Sequence, residues 1–196
     1  MDTVLEDVPK YHPDALLVEL SERSLYRLWD RHLDLIALRH NDLKYDFVRR
    51  IFQEAGIAKN DSMTDVHTKL APFRLQVIAW TLQMIRAKAD SLHIPAVIVI
   101  FPALEPGDLS PRRVHTAASA YGAAGMPILD LTDTFEHIPD TQPYLATHND
   151  PSNLDVHPNR SGNALMLDDL YRKLAEQPAV WTEITGLDPS YLPHGR

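Results

Sequence analysis

The sequence predicts a mixed α/β protein built on a parallel sheet and preceded by a helical N-terminal half. Three observations carry this. Ala96-Val97-Ile98-Val99-Ile100-Phe101 is a continuous apolar run rich in β-branched residues, the pattern of a strand buried on both faces of a parallel sheet. A second short run, Ile128-Leu129-Asp130-Leu131, is separated from it by a stretch that reads as helix, Pro111 to Ala124, with Ser110 as cap and Pro111 at the first helical position. A polar loop from His137 to Asn159 then leads into a last helix. Helix, strand, helix, strand, loop, helix is the order of the back end of a doubly wound sheet.

Residues 1–92 read as helical. Pro13-Asp14 opens a run in which Leu16, Leu17, Leu20, Leu25, Leu28, Trp29, His32, Leu33 and Ile36 recur at helical spacing. A shorter helix carries Tyr45, Val48, Ile51 and Phe52, and Gly56 ends it. Asn60-Asp61-Ser62 reads as a turn, and Ser62-Met63-Thr64-Asp65 as the cap of the next helix. Leu75, Ile78, Leu82, Ile85 and Ala89 then form one stripe on a long helix. The last helix places Ala164, Leu167, Leu170, Tyr171 and Leu174 on one face. Residues 177–196 read as an irregular tail anchored by Trp181 and Tyr191. The expected organisation is one domain over 1–176, helical over 1–92 and α/β over 93–176. Two strands leave bare edges and bury too little. Further strands either hide in the helical half or are missing from the chain, and the second alternative is preferred.

Composition narrows the function classes. The chain has 44% hydrophobic and 23% charged residues and a net charge of −8, ordinary for a globular domain. With no basic run, a general nucleic-acid binder is disfavoured. No apolar stretch approaches membrane-span length. Met1 to Lys10 is acidic and polar, unlike a signal peptide. The absence of cysteine removes disulfides, thiolate metal sites and a Cys nucleophile. No internal repeat or low-complexity segment is present.

The chemistry-bearing segment is Asp155-Val156-His157-Pro158-Asn159, followed by Ser161-Gly162. Ligands in open α/β sheets bind beyond the carboxyl ends of the strands, where the loops after Phe101 and Leu131 and the His157 loop belong. There His157 suits a general base, and Asp155 the carboxylate that orients it. The competing reading is a loop His that caps or packs. His148, Asp150, Asp155 and His157 also have the donor types of a metal cluster, although a solvated polar loop explains them better. Arg112-Arg113 with His115 suits an anionic substrate or, more simply, a solvated first helical turn. Asp130 is expected to cap the turn Thr132-Asp133-Thr134. Trp29 and Trp80 read as core, and His32 and His93 as partly buried or surface residues. Asn159 is expected to fix the loop, and Gly162 to permit close packing at the helix start.

From about Ser24 to Leu174 the chain resembles the C-terminal part of an SGNH (GDSL-type) hydrolase. The matching features are Ser24-Leu25-Tyr26-Arg27-Leu28, a long helix ending in Ala87 to Pro95, and a strand ending in Ile100-Phe101-Pro102. They continue with Gly125-Met126-Pro127-Ile128-Leu129-Asp130-Leu131 and then Asp155 to Gly162. The resemblance implies a flavodoxin-like α/β/α sandwich that cleaves or transfers acyl esters of small molecules or carbohydrates without metal or organic cofactor. His157 would be its base and Asp155 the orienting acid. The commonest family pattern has Asp three residues before the His, where this chain has Leu154. The family's Gly-Asp-Ser block and its oxyanion Gly and Asn are absent. Gly107-Asp108-Leu109-Ser110 follows a late strand and has the wrong order. The resemblance therefore implies a chain that begins just past the oxyanion Asn, with Asp2 as its Asp partner and the first three strands upstream. Such a chain is expected to be inactive alone. The second expectation is a non-catalytic interaction protein, forming a homo-oligomer through an exposed strand edge.

Overall fold

The computed structural model describes residues 6–21, 45–102, 122, 124–146 and 157–191. Among them lies a three-stranded parallel sheet of order β1-β2-β3, formed by Leu16–Ser21, Ala96–Phe101 and Ile128–Asp130. The second and third strands are where the apolar runs place them. The first corrects the helical reading of residues 16–21. Leu16, Leu17 and Leu20 fit a helical spacing, but Leu16, Val18 and Leu20 fit an alternating strand equally well. Pairing with β2 decides between the two. Leu16 aligns with Ala96 and Ser21 with Phe101, and the Leu16 N–H donates to the Pro95 carbonyl at 2.8 Å. Residues 22–44, including Trp29 and His32, lie outside the described part.

The helices between the first two strands follow local signals. Helix α1, Asp46–Glu54, ends at Ala55, and Gly56 takes a left-handed φ of 64°, a conformation open to glycine. Helix α2, Met63–Leu70, begins at the expected capping box. Ser62 accepts from the Asp65 N–H, while the Asp65 side chain accepts from the Ser62 N–H. Helix α3, Arg74–Leu92, ends at His93, which is exposed and left-handed with φ 57°. Its buried residues are Val77, Ile78, Thr81, Leu82 and Ala89, whereas Leu75 of the expected stripe is exposed. A side cluster of Val48, Ile51, Val66, Leu70 and Val77 joins α1 and α2 to α3. Trp80 packs against it, stacked on Phe47.

Alternation along β2 divides the core. Ala96, Ile98 and Ile100 pack with Leu20 and with Ile78, Leu82 and Ala89 of α3. Val97 and Val99 face the other way, onto Leu129, Leu131, Leu174, Val180 and Trp181. That second layer consists of α4, Arg160–Glu176, and α5, Pro178–Thr185. Two expectations are corrected here. The segment after residue 177 is a helix whose Trp181 is buried against the sheet, while Tyr191 is 71% exposed and anchors nothing in the core. The face that α4 buries carries Gly162, Met166, Asp169 and Leu174, so Ala164, Leu167 and Tyr171 face outward. Both faces of β2 are buried, but β1 is covered on one only: Leu17 is 57% exposed and Glu19 is exposed. No helix among the described residues is long and apolar enough to cross a membrane.

Candidate functional site

The site forms where β2 and β3 end. Phe101, the last residue of β2, packs against a small cluster of Phe135, Leu145 and Met166, joined by Tyr144. Phe135 and Tyr144 meet edge to face at 5.8 Å. Met166 belongs to the first half of α4, while Leu170 and Leu174 further along pack under Val97, Val99 and Leu129. Helix α4 therefore starts beyond the carboxyl ends of the strands and runs back beneath the sheet. His157 lies just before it, on the side where ligands bind in sheets of this kind.

After β3 the chain turns sharply. Asp130 Oδ1 accepts from the Thr132 N–H at 3.0 Å and the Thr132 hydroxyl at 2.7 Å, as expected for a carboxylate that closes its own turn. The turn is then bolted to α4. The Thr134 hydroxyl lies 2.6 Å from Asp169 Oδ2, and Lys173 pairs with Asp133 at 2.8 Å. Asp169 is buried and also receives Arg172 Nε at 3.0 Å. The bonded carboxylate holds the Arg172 guanidinium protonated more firmly than usual. Sequence reasoning misses Asp169. The available signal is a carboxylate in helical register with Met166, on the face that turns inward.

The described backbone at His157 and just after it is tied to the facing segment. The Ala146 N–H donates to the His157 carbonyl at 2.9 Å, and Leu145 bridges Pro158 in antiparallel fashion. The 3-10 turn Gln142–Tyr144 lies alongside. Asn159 caps α4: its Oδ1 accepts the N–H groups of Ser161 at 2.9 Å and Gly162 at 3.1 Å. Its amide nitrogen donates to the Pro143 and Leu145 carbonyls at 2.8 and 3.0 Å. A Cβ on Gly162 would lie 2.7 Å from the Tyr144 carbonyl oxygen and 3.0 Å from Pro158 Cβ, so only glycine permits this approach. The loop-fixing and close-packing roles expected of Asn159 and Gly162 thus hold.

The His157 side chain is exposed. Asp155, His148, Asp150, Arg112, Arg113, His115 and the Gly107–Ser110 stretch lie outside the described residues. Among the described residues no group of three or more His, Asp or Glu is placed to hold a metal. An imidazole on a fixed loop at the ligand side can take and return a proton, and acyl transfer further requires a nucleophile within its reach. No family model, curated protein or solved structure matches the chain.

Proposed function

We propose that this chain is the C-terminal part of an SGNH-type acyl-ester hydrolase or acyltransferase, with His157 as its general base and Asp155 as the residue that orients the imidazole. The observation that carries the reading is the place of His157: a clamped loop entering the last long sheet-covering helix, beyond the carboxyl ends of parallel strands. Strand order supports the finer fold. In a flavodoxin-like sheet of order 2-1-3-4-5 the last three strands are neighbours in chain order, and β1-β2-β3 has that order. The outer edge of β1 is where the two earlier strands would add, and its half-covered face is where helices joined to them would pack.

On this reading β1 would take the place of the third strand, and two strands rather than three would belong upstream. Asp2 precedes β1 and cannot follow its carboxyl end, where the residues Ser21-Glu22-Arg23-Ser24 contain no Asn. The oxyanion would then rely on other donors, such as backbone N–H groups. The reading is tested by translating the DNA just upstream of Met1 in frame. Two strand-like runs with Gly-Asp-Ser after the first support it, and a stop codon close to Met1 rejects it.

One observation favours a second reading, a non-catalytic chain that assembles with itself. Leu17, more than half exposed, sits on the uncovered side of an edge strand, and such edges pair with other chains. Light scattering across a concentration series decides. A dimer abolished by Leu17→Asp supports this reading, and a monomer at all concentrations removes it.

A further inference from the structure

Asn159 satisfies three consecutive carbonyls of the facing segment. Its side-chain amide donates to Pro143 and to Leu145, and its own backbone N–H donates to Tyr144 between them at 2.7 Å. The same side chain accepts twice from the first turn of α4. A primary amide has two donor hydrogens and two acceptor sites, and all four are used. No other side chain meets these demands at this length. Asp lacks the donors, Ser has a single hydroxyl, and Gln would set the amide one methylene too far.

We infer that Asn159 is the positioning residue of His157, acting through the loop rather than through the helix. The two side chains stand two positions apart, and the tie between them runs through the backbone. With Pro143, Tyr144 and Leu145 held by Asn159, the next residue, Ala146, is placed to donate to the His157 carbonyl. That pins the His157 backbone from the side of the facing segment. What His157 then does rests on the reading proposed above; the clamp itself does not.

The two ends of the Asn159 amide can be separated. Asn159→Asp and Asn159→Ser both keep an oxygen that caps α4, and both lose the donors to Pro143 and Leu145. Amide hydrogen exchange, read by NMR, measures both ends at once in the full chain. The expected result in both variants is exchange at Ala146 about tenfold faster, the worth of roughly one net hydrogen bond, while amides in the middle of α4 keep their protection. The His157 ring resonances move toward free-histidine positions in both variants. A pure helix cap would leave that signature unchanged. His157→Ala should leave Ala146 protected, since its acceptor is a backbone carbonyl. Ala146 protection and His157 ring signals that stay as in the wild type overturn the inference. So does protection lost equally through α4, which would make Asn159 a cap alone. None of these readouts depends on catalysis, so the clamp and the base assignment fail separately.

Discussion

At the scale of single residues, the positions legible in the sequence are those whose partners are near in the chain. Asp130 closes a turn two residues on. Asn159 caps the helix it opens. Gly162 belongs to the same segment, and its reason for being glycine is a backbone oxygen, the Tyr144 carbonyl, which cannot swing aside as a side chain tip would. Gly162→Ala is therefore expected to destabilise the protein by about 1–3 kcal/mol, the usual cost of forcing an extra group into a packed site. Urea denaturation followed by circular dichroism measures it, and an unchanged midpoint would show that the loop gives way freely. Asp169 is not legible because its partner Thr134 is 35 residues away in sequence. Its helical register with Met166 marks only the face it occupies; nothing local marks the hydroxyl it meets across the helix–loop contact.

At the scale of elements, strong local chemistry is read correctly and short ambiguous runs are not. The capping box of α2, the left-handed Gly56 and the run at 96–101 each have one physical interpretation. Leu16–Ser21 has two, and only its six-residue pairing with β2 selects the strand. Helix α5 is short, and a tail containing proline reads as irregular. Pro178 in fact sits in its first turn, where the missing N–H costs nothing. The α2 cap also has a pH signature. Asp61 lies below the usual carboxylate range because it accepts from the Ala58 N–H and from Lys69. Asp65 is lowered by the Ser62 hydroxyl and the Ser62 N–H. Both values are depressed by folding, so the stability they contribute is fully present above the ordinary carboxylate value of about 4 and is lost as pH falls through the lower folded values. Thermal melts should show stability falling below about pH 4, with a smaller fall in Asp65→Asn. An equal pH dependence in that variant would remove Asp65 as a contributor.

At the scale of the whole molecule, helices packed on both faces of β2 follow from its double-sided hydrophobicity, which is plain in the sequence. Which helices cover it is not, since the face of α4 depends on where the turn after β3 delivers the chain. The open side of β1 is likewise a property of the assembled sheet: Leu17 and Glu19 lie in register with the buried Val97 and Val99, yet no described helix reaches over them. Covered by further strands and their helices, β1 would become interior. The most direct measurement is the rate at which a fluorophosphonate serine-hydrolase probe labels the chain extended through its upstream reading frame, with and without His157→Ala. If His157 is the base, the extended chain is labelled and the substitution slows labelling by about a hundredfold or more, the usual worth of general-base assistance. Labelling at an unchanged rate in His157→Ala would contradict the assignment.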